Sequence, residues 1–229
     1  MVKQSGFNKR NMRDTVLYKR VIASLVLLLL IFGVGMLAAC GTSEANTDNQ
    51  GKKDITANNN SDKLYSFVIP QSLFFGKTGD ALVEEISDST ATFLLKTGEE
   101  VPASQMISGA QLNEDGTVTM FFSEDQLKRY KSFLRDCASL YTYIDTYPES
   151  SIKSTKFPKD DLTEIIVYVD SKTYENTSTD GIFANGYTAT NMGMYQVLNG
   201  VNPDDWSAHV MVRDYKTKKI ITEDYYPNG

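Results

Sequence analysis

The sequence predicts an α+β domain over residues 63–229: a mainly antiparallel sheet with two main helices packed on one face. Three observations support this fold class. A serine-capped amphipathic helix is predicted over residues 124–145, a second helix is predicted over residues 182–198, and short strand-like runs separated by turn residues surround both. A segment of this length buries one sizeable core, so we expect a single domain.

The first part of the domain is predicted to consist of short strands joined by tight turns. Residues 65–69 are predicted to form a strand, and residues 80–86 a short helix. A further strand is predicted at residues 92–96. The Asp-Gly dipeptide at 115–116 is typical of hairpin turns, so residues 117–122 are predicted to be the strand that leaves this turn.

The predicted helix over 124–145 carries the most complete set of local signals. Ser123 and Gln126 occupy the two positions of a capping box, in which each side chain bonds to the backbone of the other residue. Apolar residues then recur at spacings of three and four, which places them on one helix face. This stripe comprises Leu127, Tyr130, Leu134, Cys137, Tyr141 and Ile144. We expect the helix to end before Pro148.

The second part of the domain is predicted to contain three more strands around the second helix. Residues 162–169 are rich in β-branched side chains and are predicted to form a strand. The helix over 182–198 is followed by an Asn-Gly pair, which is typical of helix C-caps. Residues 206–213 and 220–226 are predicted to be two strands joined by a turn, which close the domain as a hairpin.

The first 39 residues are predicted to be a signal peptide. Residues 1–20 carry six basic side chains and one acid, and residues 21–39 form an uncharged, largely apolar run. A basic start followed by an apolar centre and small residues is typical of secretory signals. A transmembrane helix is the alternative, because the run approaches the ~20 residues that span a bilayer.

The end of the apolar run resembles the lipobox of bacterial lipoproteins. Leu37-Ala38-Ala39-Cys40 matches the pattern Leu-Ala/Ser-Ala/Gly-Cys. The resemblance implies a diacylglyceryl group on the Cys40 thiol and cleavage between Ala39 and Cys40. It also implies an anchor on the extracytoplasmic face of the cell membrane. Two acyl chains hold a protein stably on a bilayer, whereas one chain binds reversibly.

Residues 40–62 are predicted to be the lipidated cysteine followed by a disordered tether. The tether contains one large apolar side chain, Ile55, and cannot bury enough surface to offset its chain entropy. A flexible segment of this length has a root-mean-square span of roughly 25 Å. We therefore expect the domain to lie just above the membrane or within the adjacent wall.

The charge of the mature chain disfavours one class of partners. The whole chain has 23 basic and 29 acidic residues. Removal of six basic residues and one acid with the signal leaves 17 against 28, a net charge of −11. So acidic a chain is a poor partner for nucleic acid or for an anionic lipid surface. We therefore expect no nucleic-acid function.

Residues for metal or nucleophilic chemistry are few. His209 is the chain's single histidine, and we interpret it as an ordinary strand residue. With Cys40 lipidated, Cys137 is the remaining thiol, and it lies in the apolar stripe of the predicted helix. The sequence therefore predicts no disulfide, no cysteine-based or histidine-rich metal site, and no cofactor.

Neighbouring acids suggest an alternative enzymatic function, an envelope or glycan hydrolase that uses paired carboxylates. The acid pairs are Asp160-Asp161, Asp204-Asp205 and Glu223-Asp224. The alternative requires two acids about 5–10 Å apart in a cleft. Each pair flanks a predicted strand or helix start, where solvated acids are ordinary.

Aromatic side chains favour a binding function. The chain has 13 Tyr, 11 Phe and one Trp, and several tyrosines fall in polar contexts. Exposed Tyr and Trp make good contact surfaces because they are rigid and amphipathic. The predicted binding surface comprises Tyr174, Trp206, Tyr215, Tyr225 and Tyr226. The expected partner is an envelope protein, a peptide or a glycan; an assembly factor for an exported complex is a further alternative.

The second half of the chain resembles a group of uncharacterised lipoproteins from Gram-positive bacteria. The resemblance is carried by residues 115–119 before the capped helix, by 161–170 with 174–176, and by 192–201 before Trp206. Such proteins combine a lipobox, a polar tether and one α+β domain, and the resemblance implies no activity. It implies the same location and fold for this chain, so the leading hypothesis is a membrane-anchored, non-enzymatic binding domain.

Overall fold

A computed structural model of the chain describes residues 63–175 and 178–227. The predicted signal peptide, lipobox and tether lie outside the described residues. No helix in the described ranges has both the length and the apolar character needed to cross a membrane.

Short elements make up the described part of the chain, where nine strands alternate with helices. The strands are β1 (Tyr65–Ile69), β2 (Thr92–Leu94), β3 (Glu100–Pro102), β4 (Gly109–Leu112), β5 (Val118–Phe122), β6 (Ile152–Lys156), β7 (Glu164–Val169), β8 (Ala208–Asp214) and β9 (Ile220–Tyr226). The helices are α1 (Gly79–Ser87), α2 (Ala103–Met106), α3 (Glu124–Ala138), α4 (Tyr141–Thr146), α5 (Ser171–Tyr174), α6 (Ser178–Ile182) and α7 (Thr188–Leu198).

The predicted α+β class is confirmed, and antiparallel pairings dominate the sheets. The strands are divided among a three-stranded sheet of order β1-β5-β4, a β2-β3 pair and a four-stranded sheet of order β6-β7-β8-β9. One pairing, β7 with β8, is parallel and runs from Glu164↔His209 to Val169↔Asp214. A parallel pair needs a long crossover connection, which α5, α6 and α7 supply.

The two main helices, α3 and α7, pack against each other and join the two larger sheets. Helix α7 contacts both β8 and β1, while α3 contacts β5. The inward-facing residues of α7 include Met192, Val197 and Leu198, all of which are buried. One continuous hydrophobic core therefore fills the space between these helices and the sheets.

The capping box predicted at the start of α3 is confirmed. Ser123 Oγ accepts a hydrogen bond from the Gln126 backbone N–H at 3.3 Å, and Gln126 Oε1 accepts one from the Ser123 N–H at 2.8 Å. The prediction of one helix over 124–145 is wrong at its second half. Leu140 adopts a left-handed φ of 54°, which ends α3 and starts α4 in a new direction. The break buries Leu140 and Tyr143 and leaves Tyr141 exposed.

The predicted helix over 182–198 is also composite. It begins earlier, with α6, and passes through a π-helical turn at Phe183–Tyr187 before α7. The turn brings the Phe183 ring onto Tyr143 of α4, with ring centres 4.3 Å apart. The strands predicted from the sequence are all present, and the ends of each lie within two residues of the prediction. Strands β3, β4 and β6 were not predicted.

Candidate binding surface

The four-stranded sheet has two chemically different faces. Side chains alternate along a strand, so every second residue of β7 and β8 points to the same side. One set, which includes Ile165, Val167, Val210 and Val212, is fully buried in the hydrophobic core. The other set points away from that core, and we call the side of the sheet that carries it the outer face.

Three rows of cross-strand neighbours form the outer face. The first row is Ser154, Tyr168, Arg213 and Ile220; the second is Lys156, Ile166, Met211 and Glu223; the third is Glu164, His209 and Tyr225. Apolar side chains occupy the centre, and charged and aromatic side chains surround it. Ile166 and Met211 are buried but lie outside the main core cluster, which is consistent with a separate apolar centre on this face.

An aromatic platform occupies the third row. The Tyr225 ring is 62% exposed and stacks on the His209 imidazole, with ring centres 4.3 Å apart and planes 5° from parallel. Glu223 Oε1 lies 2.8 Å from His209 Nε2 and accepts a hydrogen bond from the Tyr225 hydroxyl at 3.2 Å. Partial desolvation, followed by this hydrogen bond, raises the pKa of Tyr225. The phenol therefore stays neutral, and its ring is held in a fixed orientation.

A cationic cluster occupies the opposite end, in the first row. Lys218 Nζ lies 4.3 Å from the centre of the Tyr168 ring, which is cation–π geometry. Arg213 Nη2 donates to Met211 Sδ at 3.3 Å, so the guanidinium lies over the apolar centre. Its Nε is shielded from water and has no hydrogen-bond partner among the described residues. The outer face thus has a positive end at Arg213 and Lys218 and an acidic end at Glu164 and Glu223.

Trp206, one of the predicted binding residues, is a core residue, and its assignment to a binding surface is wrong. Its side chain is 5% exposed. The indole lies directly on the backbone of α7: a Cβ added at Gly193 would be 2.5 Å from Trp206 Cε3 and 2.6 Å from Leu73 Cδ2. The absence of a side chain at Gly193 is what allows this close approach.

The four predicted tyrosines do not form one surface. Tyr226 pairs with Ala208, so it belongs to the core side of β9, opposite to Tyr225. Tyr174, on α5, is also half-buried against the core. Burial is the largest cause of the raised pKa of both Tyr174 and Tyr226. Tyr215 is half-buried in the β8–β9 turn.

The outer face also contains residues that the sequence did not mark as a site. His209, Tyr168, Arg213 and Lys218 come from two strands and a turn. The parallel pairing of β7 and β8 sets Tyr168 beside Arg213 and Glu164 beside His209, and Lys218 lies over the Tyr168 ring. Strand alternation around His209 was visible in the sequence and placed it opposite Val210 and Val212. The sequence did not show which strand lies beside His209, and that strand decides the contacts of His209.

The acid pairs lie in turns and on a strand. Glu223 and Asp224 are consecutive in β9 and therefore point to opposite faces of the sheet. Asp161 Oδ1 accepts hydrogen bonds from the hydroxyl and the N–H of Thr163, which lower its pKa. A general acid needs a raised pKa, so the lowered pKa of Asp161 does not suit that role. The Asp204 and Asp205 side chains are exposed in the turn before Trp206.

The described residues provide neither a cluster of metal ligands nor an ionised thiol. No group of three or more His, Cys, Asp or Glu side chains within the described ranges could hold a metal ion. Burial raises the pKa of the Cys137 thiol to about 12, which keeps it protonated at neutral pH. A protonated thiol is a weak nucleophile.

Asp214 fixes the turn from which Lys218 extends. Its Oδ1 accepts hydrogen bonds from the backbone N–H groups of Lys216 and Thr217 and from the Thr217 hydroxyl, at 2.6–3.1 Å. The Thr217 N–H is the largest cause of a strong lowering of the Asp214 pKa, followed by Ser171 and the Thr217 hydroxyl. The charged carboxylate is therefore part of the folded turn.

Replacement of Asp214 by Asn is expected to destabilise the domain in a pH-dependent way. A lowered folded-state pKa contributes stability above the unfolded-state pKa, near the ordinary value of 3.8, and loses it as pH falls toward the folded-state pKa. The difference in the free energy of unfolding between the natural chain and Asp214→Asn should thus be largest at neutral pH and smaller at pH 3. Urea unfolding at the two pH values measures it, and a difference that widens at pH 3 would contradict this role for the carboxylate.

The chemistry of the outer face suits recognition of a ligand. An exposed aromatic ring, an apolar centre and charges of both signs at the periphery are features of binding surfaces. No protein-family model matches the chain, and neither does any curated protein or solved structure.

Proposed function

We propose that this chain is a membrane-anchored extracytoplasmic lipoprotein whose folded domain is a non-enzymatic binding module of the cell envelope. The ligand would bind the outer face of the four-stranded sheet. The observation that carries the proposal is the platform of Tyr225, His209 and Glu223, in which a largely exposed ring is held by a stacking partner and a carboxylate. Holding the ring in advance lowers the entropy cost of binding.

The anchor in this proposal is supported by the lipobox at Leu37–Cys40 and the basic, apolar segments before it. A domain carried by such an anchor on a short polar tether would meet partners in the envelope: a protein, a peptide or a glycan. The net charge of −11 derived for the mature chain gives no basis for a nucleic-acid partner.

The anchor is tested by lipid labelling in a bacterial host that expresses the full chain. We expect radioactive palmitate to label the natural chain and the chain to fractionate with membranes. Cys40→Ser should abolish the label and accumulate uncleaved precursor, because the acceptor thiol is gone. Cys137→Ser is the matched control, since it removes the other cysteine and should keep the label. Equal labelling of the two variants would refute lipidation at Cys40.

The binding surface is tested by site-specific photo-crosslinking in intact cells. A benzoylphenylalanine at position 225 should give adducts that saturate with expression level, because this side chain projects from the outer face. The same group at position 141 is the control, since Tyr141 is 43% exposed and lies on α4, outside the three rows of the outer face. Adducts of the same kind and yield from both positions, or none from position 225, would overturn the assignment of the outer face.

A further inference from the structure

We infer that the ligand of the outer face is a short extended peptide with free ends, its carboxylate at Arg213 and Lys218 and its ammonium at Glu164 and Glu223. This inference rests on the proposed binding function and specifies the ligand class. It follows from three features of the face: a guanidinium without a carboxylate partner among the described residues, an acidic end with an aromatic ring, and the distance between the two.

The positive end provides a site for a carboxylate. Arg213 Nη2 bonds only a thioether sulfur among the described residues, and its Nε lacks a partner there. Because Nε is shielded from water, a ligand carboxylate would bind the two Nη groups, which can donate two parallel hydrogen bonds to it. Lys218, held over the Tyr168 ring, adds a second positive charge on the same side of the sheet.

The acidic end provides a site for an ammonium. Glu164 is opposite His209 in the third row, and Glu223, in the second row, extends its carboxylate to His209 and Tyr225. Glu164 and Tyr225 lie on the two strands on either side of His209, in the same row of the face. Lys159 Nζ lies 3.8 Å from Glu164 Oε2, a long pairing in which the lysine is largely exposed, so a ligand ammonium can replace it. The exposed Tyr225 ring adds a cation–π surface.

The separation of the two ends selects the length of the ligand. His209 and Arg213 are four residues apart on β8, which corresponds to about 13 Å along an extended strand. An extended tetrapeptide spans about 13–14 Å at ~3.3–3.6 Å per residue. Between the ends, Ile166 and Met211 are buried and form the base of the face, so the charged ends rather than an apolar surface define the ligand. A neutral glycan would satisfy neither charged end, so the charge pattern favours the peptide.

The test uses tetra-alanine with free termini as the probe and the full chain in detergent micelles. Saturation-transfer NMR titration measures weak affinities from the signals of the peptide. We expect binding of the free peptide, and we expect N-acetylation and C-amidation each to weaken it about tenfold or more, since each cap removes one charge-assisted contact. Equal affinities of the free and doubly capped peptides would overturn the inference. This comparison changes only the peptide and uses the natural protein.

Charge-removing variants locate the peptide on the outer face. Arg213→Gln should weaken the free peptide about tenfold and abolish its advantage over the C-amidated form. Arg129→Gln is the matched control, because Arg129 is exposed on α3 and should keep both affinities. If the Arg213→Gln variant still prefers the free peptide over the C-amidated peptide by the same factor as the natural chain, the inference fails. The glycan chitotetraose is tested in the same way. If it binds and tetra-alanine does not, while position 225 still gives photo-crosslinked adducts, the ligand is not a peptide but the proposed binding function still holds.

Discussion

Trp206→Ala is expected to destabilise the domain by about 3–5 kcal/mol, the usual cost of truncating a large buried aromatic side chain. The indole is 5% exposed and lies against Leu73 and the backbone of α7 at Gly193. Its removal leaves a cavity between α7 and the short helical turn that contains Leu73, and neither backbone segment can collapse fully into it. Urea unfolding followed by circular dichroism measures the loss.

The matched control for this prediction is Tyr225→Ala, which also removes a predicted binding aromatic. Tyr225 is largely exposed, so we expect its removal to leave the unfolding midpoint unchanged while it abolishes ligand contact at the outer face. The two variants therefore separate stability from recognition. If Trp206→Ala keeps the natural stability but loses binding, Trp206 is a binding residue and its assignment to the core is wrong.

Asp180→Ala is expected to destabilise the domain by about 3 kcal/mol or more, since a buried donor left without its acceptor costs about 1–3 kcal/mol. Asp180 is 1% exposed and accepts three hydrogen bonds, from the Tyr143 hydroxyl at 2.5 Å and from the N–H and hydroxyl of Ser151 at 2.7 and 2.5 Å. The carboxylate thereby joins α6 to α4 and to the segment before β6.

Asp160→Ala is the control for Asp180→Ala, because it removes a fully exposed carboxylate whose one ion pair, with Arg135, is 3.4 Å long. Exposed pairs of this kind contribute little, so its unfolding midpoint should match that of the natural chain. Chemical denaturation at pH 7 compares the variants. An Asp180→Ala midpoint equal to that of Asp160→Ala would show that water replaces the carboxylate at no cost.

Local signals predicted the local parts of the fold well. The capping box at Ser123 and Gln126 and the Asp-Gly turn before β5 are confirmed because each depends on residues a few positions apart. The break at Leu140 was missed because the apolar spacing continues through it. Strand β6 was missed because it is an edge strand of mostly polar residues. Ile152 is its one fully buried residue, too few to give an alternating apolar pattern.

The candidate site was predicted only in part. Tyr225 lies on an exposed face as its polar context indicated, whereas Trp206, in an equally polar context, lies in the core. Polar neighbours in sequence do not decide exposure, because the space for the indole comes from Gly193 on another element. Arg213 could not be predicted as a site residue, because the contacts of its guanidinium depend on which side chains the parallel strand pairing places beside it.

The sequence by itself determined the α+β class, most helix and strand positions, and the predictions of a lipid anchor and an acidic mature chain. These properties depend on composition, on periodicity and on motifs a few residues long, which the chain carries whether folded or not. The tertiary structure alone decided which aromatic residues are buried and how the rows of the outer face are arranged. Both follow from pairings between segments distant in sequence, and in particular from the parallel register of β7 and β8, which sets Tyr168 beside Arg213 and Glu164 beside His209.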